Sequence, residues 1–450
     1  MPERLQVIYG EVSIATLDRG DDGRLEMAYS KRAIRDADGE PLLSVSLPVR
    51  AEPYSQEHLL PFFDGLLPEE DVRRRIAQRL QVDAGDVFGL LRELGRDCAG
   101  AFSIVPDGYD LAAALEEGVD WLTDEQLAER VRELDMRPLA VEPARDIRIS
   151  LAGAQAKMAV VWDGDRIGLP RGITPSTHIL KPASTAERAG RKRRLAYPAL
   201  VANEGFCMTL AHLAGLSVAE VRVIRIAGEP AVLIKRYDRT HLADGVVIRV
   251  HQEDFAQALG IPSYRKYEKE GGPGISDYLE LLRRNSASTI EDLEELIDRV
   301  AFNYAVGNAD AHAKNFSLLH GNEGMRLAPG YDLLSTYAYD ELSHDMATSI
   351  GGIFDARGVK PVHWRKELAR LALDPGLYSQ RLAELADRLE NHLTEALEWA
   401  DKIGLADTRL VRIADLVRKR AQILRGARDV PDRSDREDGR QAERRHSSRG

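Results

Sequence analysis

The sequence is poor in cysteine, with only Cys98 and Cys207 among 450 residues. That count excludes a disulfide framework and a cysteine zinc site, and it suits a reducing cytosol. Long hydrophobic runs are missing as well. No apolar stretch approaches the roughly 20 residues of a membrane helix, and "MPERLQVIYGEVSI" lacks the apolar core of a signal peptide. An excess of positive charge is also absent. The formal net charge of -11 gives no sign of a globally basic nucleic-acid binder, although a local basic patch remains compatible with it. Aromatics are sparse at 6%, while 44% hydrophobic and 30% charged residues are ordinary for a globular protein. The expectation is a soluble cytoplasmic protein with no membrane contact and enough chain for two or three domains.

What is present changes character along the chain. Residues 5–50 read as short strands with turn signals such as "DRGDDG". "HLLPFFDGLLPEEDVRRRIAQRL" turns helical, with Pro68 and the acids Glu69, Glu70 and Asp71 suited to a first turn. "GAFSIVP" closes this region near residue 106, and residues 110–145 read as a helical connection. Strands return in "RDIRIS", "KMAVVW" and "THILKPA", followed by the amphipathic helix "NEGFCMTLAHLAGL" and the hairpin "VAEVRVIRI"/"AVLIKRYDR". Beyond residue 250 the chain is mostly helical. Ser288 and Glu291 have capping-box spacing, and Leu293, Leu296, Ile297, Val300, Ala301 and Tyr304 share one helical face. Leu382, Leu385, Leu389, Leu393, Ala396 and Leu397 repeat the pattern. The last 23 residues hold seven arginines, six acids and almost nothing apolar, so disorder is expected there.

The chemistry concentrates in "GNADAHAKNFSLLHGNEGMRLAPGYD", residues 307–332. Asp310 follows a helix, Asn315 lies five positions on, and Asp332 comes just after a strand–turn–strand. Phosphoryl transfer on a kinase scaffold requires this layout: one aspartate for the attacking hydroxyl, then an asparagine and a second aspartate for Mg²⁺. Alone, the spacing fits a polar loop with Asx turns equally well. The upstream half adds weight. "SLAGAQAK" lies between strands, so its backbone N–H groups could cover phosphates, with Gly153 allowing close approach. It lacks the G-x-x-x-x-G-K-[ST] pattern and so is no P-loop. Lys181 ends the strand "THILKP", as a phosphate-contacting lysine or a surface one; Glu204 is either its partner or a first-turn acid. "LIKRYDR" falls where a small lobe would end, so backbone from Lys235 to Tyr237 could meet an adenine edge.

With these pieces in order, the chain resembles the HipA-type serine/threonine kinases of bacterial HipBA toxin–antitoxin modules. The matching motifs are "FFDGLLPE", "GRDCAGAFSI", "SLAGAQAK", "HILKP", "NEGFCMTLA", "IKRYDR", "HQEDFAQALG", "NADAHAKNFSLL", "YDLLS" and "MATSIGG". The resemblance covers roughly residues 5–425. The resemblance implies a bilobal α+β fold of protein-kinase type, with a small N-terminal β-rich domain and a mostly helical C-terminal lobe. Asp310 would be the base, and Asn315 with Asp332 would hold Mg²⁺. ATP would be contacted by Ala152, Gly153, Ala154, Gln155, Ala156, Lys157, Lys181, Lys235, Tyr237, Lys314 and Asp332. Ser150 would be autophosphorylated, which would weaken ATP binding by repulsion. The implied partners are an aminoacyl-tRNA synthetase of glutamyl type as substrate and a HipB-like helix-turn-helix antitoxin, with DNA reached only through the antitoxin.

The implied division is 1–106 for the β-rich region, 107–145 for the connection and 146–238 for the small lobe. The helical lobe would be 239–427 and the charged tail 428–450. His312 is expected to support the loop through ring N–H bonds. Lys314 either touches the transferring phosphate or neutralises the acidic loop. "ERAGRKRR" (187–194) reads as a basic loop, either solvated or substrate-contacting. Two other readings are a small-molecule kinase, for which a histidine would stand in place of Asn308, and a silent scaffold, which would lack Asp310, Asn315 or Asp332.

Overall fold

The computed structural model describes residues 3–37, 39–115, 118–134, 157–183, 185–188, 192–195, 199–243 and 245–429. Ser150, residues 152–156 of the expected phosphate loop and the charged tail from 430 onward lie outside them.

The chain opens with β1 (Glu3–Tyr9), β2 (Val12–Arg19) and β3 (Leu25–Tyr29), followed by α1 (Lys31–Ala37) and β4 (Tyr54–Ser55). Then come α2 (Gln56–Gly65), α3 (Glu70–Leu80), α4 (Val87–Leu94) and β5 (Phe102–Pro106). The strands form an antiparallel sheet in the order β4-β3-β2-β1-β5. The run that turns helical holds two helices, α2 and α3. Pro68 lies in the break rather than in a first turn, because proline biases the preceding residue to extended backbone. Glu69 becomes the N-cap position of α3 without capping it. Its side chain is drawn elsewhere, as described below.

The connection supplies α5 (Leu111–Leu115), β6 (Val119–Trp121) and α6 (Asp124–Glu133), so it is not wholly helical. β6 joins the sheet built from β7 (Met158–Trp162), β8 (Ile167–Pro170) and β9 (His178–Pro182). Next come β10 (Thr185–Arg188), β11 (Lys192–Leu195), α7 (Leu200–Leu213), β12 (Val221–Ile226) and β13 (Glu229–Lys235). The six-stranded order is β12-β13-β9-β7-β8-β6. Within the stretch read as a basic loop, β10 and β11 pair antiparallel and so satisfy each other's amides. Along β13, Ala231 and Leu233 enter a core shared with the N-terminal sheet, while Val232 and Ile234 enter the core of the helical lobe. Successive side chains alternate faces, so a sheet buried on both sides reads as the unbroken apolar run "AVLI". α7 is likewise buried nearly all round rather than amphipathic.

The remaining chain holds β14 (Arg239–His241), β15 (Val247–Arg249), β16 (His251–Asp254), α8 (Phe255–Ala258), α9 (Ile275–Asn285) and α10 (Thr289–Val306). It continues through β17 (Ser317–Gly321), β18 (Gly324–Leu327), β19 (Asp345–Ile350), β20 (Ile353–Asp355), α11 (Pro361–Arg370), α12 (Pro375–Lys402) and α13 (Thr408–Gly426). The apolar faces read on α10 and α12 are buried in one core. The capping box at Ser288 does not form. Glu291 pairs instead with Arg326, and Asp292 accepts bonds from Ser286, Arg326 and the Leu327 N–H. These contacts dock the helix start on the β17–β18 hairpin.

Candidate active site

Lys181 is the centre of the site. Its side chain is 5% exposed, which rules out a surface lysine. Nζ donates to Glu204 Oε1 at 2.8 Å and also to Asp332. Glu204 is the fifth residue of α7, beyond the first turn, so a helix-dipole role does not account for it. An ammonium bridging carboxylates from the small lobe and the helical lobe fixes the two lobes against each other. Burial works against the charge on Lys181, but Asp332 and Glu204 outweigh it and push its pKa up. Burial also raises Asp332, yet Lys181 and Lys157 hold it down at about 2. Glu204, fully enclosed, is pushed up by burial. Lys157, the one described residue of the expected phosphate loop, is brought down to about 8 by burial, opposed by Asp332. Two lysines therefore converge where an anion could replace the Asp332 carboxylate on Lys181.

Asp332 has φ +57°, a left-handed conformation that aspartate tolerates at some cost and that is common where function demands it. Its carbonyl accepts from Asn308 Nδ2 at 3.4 Å, and Asn308 Oδ1 accepts the Asp310 N–H at 3.1 Å. Asn308, where a small-molecule kinase would have histidine, thus ties the two aspartate loops together. Asn203, beside Glu204, donates to the Ser335 carbonyl and accepts the Ser335 N–H, both at 2.8 Å, clamping "YDLLS" to α7.

Asp310 keeps 58% of its side chain exposed. Burial nudges its pKa upward and a hydrogen bond from Tyr267 opposes this, and with one face open to water the rise is limited. Tyr267 Oη donates to Asp310 Oδ1 at 2.6 Å. Asn315 lies in a short 3₁₀ turn, Ala313–Asn315, and its Oδ1 accepts the His312 N–H at 3.1 Å. Among the described residues no group of three or more His, Cys, Asp or Glu side chains could hold a metal alone. An ionised Asp332 and the Asn315 carboxamide, both partly exposed, are a hard-oxygen pair. They suit Mg²⁺, which takes few protein ligands and completes its shell with water and phosphate oxygens.

Several expectations need correcting. Lys314 does not face the nucleotide side: Nζ donates to the Gly65 carbonyl at 3.0 Å and pairs with Asp254 at 3.2 Å and Glu69 at 3.5 Å. It therefore neutralises two acids, Glu69 of the N-terminal domain and Asp254 of β16. His312 supports its loop by packing edge-on against Tyr267, with centroids 5.2 Å apart, and its Nδ1 has no partner among the described residues. Burial lowers its pKa to about 3, so the ring is neutral. In the adenine segment the Lys235 N–H bonds to the Glu220 carbonyl and the Arg236 N–H to the Thr177 carbonyl. An adenine edge would have to use the Tyr237 N–H and the carbonyls there. Sequence reasoning missed Tyr267, and it gave Asn203 and Glu69 no role in the site although they lie in the matching motifs "NEGFCMTLA" and "FFDGLLPE".

Comparison with known proteins gives the family and the fold. Residues 149–397 match the family described as HipA-like C-terminal domain, and residues 5–105 match the HipA N-terminal domain. A Sinorhizobium fredii protein named "Putative kinase Y4mE" is 40% identical over 413 residues, covering 91% of this chain and 95% of that protein. The serine/threonine-protein kinase toxin HipA of Shewanella oneidensis is 29% identical over 347 residues, covering 75% and 76%. A solved structure of the Shewanella oneidensis HipA, HipB and operator DNA complex matches with a TM-score of 0.80 at 24% identity. It covers 95% of this chain and 100% of that one, and it establishes the bilobal fold.

Proposed function

Because this chain belongs to the HipA family of serine/threonine-protein kinases, we propose that it is an ATP- and Mg²⁺-dependent toxin kinase. Its acceptor would be a serine hydroxyl on an aminoacyl-tRNA synthetase, most simply the glutamyl enzyme. The observation that carries the catalytic part is Lys181 bridging Glu204 and Asp332, with Asp310 tied to the same loops through Asn308. Lys181 and Lys157 would bind the phosphates. Asp332 and Asn315 would hold Mg²⁺, which supplies charge neutralisation on the phosphates when bound. Asp310 would orient the acceptor hydroxyl and take its proton. The synthetase rests on family resemblance alone.

Autophosphorylation at Ser150 would place close to two negative charges beside the loop meant for ATP phosphates and switch the enzyme off. A HipB-like antitoxin is the proposed partner, supported by the composition of the Shewanella complex. With a net charge of -11, contact with DNA would run through that partner.

The test is incubation with Mg²⁺ and labelled ATP, comparing wild type, Asp310→Asn and Ser150→Ala, with phosphosites mapped by mass spectrometry. Wild type should label on Ser150, Ser150→Ala should lose that site, and Asp310→Asn should lose all label while melting normally. Full transfer by Asp310→Asn would remove Asp310 from its role.

A further inference from the structure

The segment "KYEKEGG", residues 266–272, has no part in the reading above, yet consecutive residues in it grip different parts of the molecule. Lys266 Nζ donates to Glu69 of the N-terminal domain at 2.6 Å, and its carbonyl receives the Ala313 N–H at 3.5 Å. Tyr267 Oη donates to Asp310 Oδ1 at 2.6 Å. Glu268 accepts both the N–H and the hydroxyl of Ser349 on β19, and Lys269 pairs with Asp345 at 2.5 Å. The strap closes on itself through the Gly272 N–H, bonded to the Tyr267 carbonyl at 2.9 Å. Gly271 has φ +84°. A Cβ on Gly272 would sit 1.9 Å from the Arg265 carbonyl oxygen, so only glycine fits there.

We propose that Tyr267 is a positioning residue for phosphoryl transfer, its hydroxyl fixing Asp310 Oδ1 so that Oδ2 faces the acceptor hydroxyl. This rests on the reading of Asp310 as base. Three observations carry it. The strap is anchored on both sides of Tyr267, so the phenol is held rather than resting on the carboxylate. The ring packs on buried His312, which fixes its plane. The Tyr267 hydroxyl engages Oδ1 alone of the two carboxylate oxygens, and 58% of the Asp310 side chain is exposed. A carboxylate rotating freely would present either oxygen, and a small misplacement of a reacting group costs rate steeply.

Tyr267 stays a donor, because burial and the neighbouring Asp310 raise the phenol pKa. Its bond favours the ionised carboxylate. The charged groups facing Asp310 are Lys266, which also favours ionisation, and Glu69 and Asp332, which oppose it; His312 is neutral. Losing the phenol therefore moves the pKa of Asp310 up, and the acid limb of activity moves to higher pH.

The experiment uses the full chain with Mg²⁺ and labelled ATP, measuring transfer to the chain and to water across pH for wild type, Tyr267→Phe and Asp310→Asn. Tyr267→Phe should fold normally and bind ATP like wild type. Its kcat should fall about 10- to 100-fold with KM for ATP unchanged, and the acid limb should shift upward. Glu268→Ala, which frees one end of the strap and keeps the phenol, should give a smaller loss of kcat in the same direction. A Tyr267→Phe rate equal to or above wild type would overturn the proposal, since the hydroxyl would then be idle or competing with the acceptor. Phosphate found on Tyr267 would also overturn it, by making the phenol an acceptor. Failure of the underlying reading looks different: Asp310→Asn would remain active, or wild type would show no transfer at all.

Discussion

Glu69 sits between two ammonium groups, Lys266 at 2.6 Å and Lys314 at 3.5 Å. Burial pushes its pKa up, but the two lysines outweigh this and hold it at about 2. A carboxylate depressed in the folded state adds stability that is complete above its unfolded pKa and is lost as pH falls toward the folded value. The window is therefore about pH 4.5 down to 2, and the contribution is roughly 3 kcal/mol. Glu69→Gln should lower the urea midpoint at pH 7, and its difference from wild type should shrink as pH approaches 3. Lys181→Met is the harsher change. It removes the ammonium that bridges Glu204 and Asp332, so transfer should vanish and stability should fall by about 3 kcal/mol in urea titration.

Among the elements, helix starts show where local signals hold and where they are overridden. α12 begins with Asp374 accepting the Leu377 N–H at 2.7 Å, and Pro375 occupies the first helical position. Asp374→Ala should cost about 1 kcal/mol, read as a lower melting temperature with activity retained. α10 shows where they fail. Ser288 and Glu291 have the right spacing, but Arg326 and the hairpin edge offer Glu291 and Asp292 charge-assisted bonds that a local cap cannot match. The same competition explains Glu69, whose side chain leaves α3 for two lysines of the other lobe. β6 and β8 were illegible because three or four residues are too few to show a period of two.

At the scale of the whole molecule, the N-terminal region and the small lobe are one packed body. Asp97 of "GRDCAG" accepts from Ser176 Oγ at 2.6 Å and forms ion pairs with Arg239 and Arg249 at 3.0 Å, while Arg236 pairs with Asp238 at 2.7 Å. The Asp97, Asp238, Arg236 and Arg239 side chains are all 2% exposed or less. The segment expected to meet adenine is thereby fastened to the N-terminal domain. Removing one partner of such a network leaves charge buried without compensation. Asp97→Asn should cost about 3–5 kcal/mol and split one unfolding transition into two, followed by calorimetry.

The sequence by itself determined the family, the bilobal α+β class and the two aspartate loops with their asparagine. Those features are local: a helix end, a hairpin and fixed spacings that survive without knowledge of what packs on them. Tertiary structure decided which charges meet. Lys314 looked like a phosphate contact by its place between Asp310 and Asn315, but its Nζ turns to Gly65, Glu69 and Asp254. Tyr267 bonds Asp310 from 43 residues away, and Asp97 reaches Arg239 across 142. Bonds over such separations depend on how the sheets and helices stack, and no periodicity along the chain encodes them.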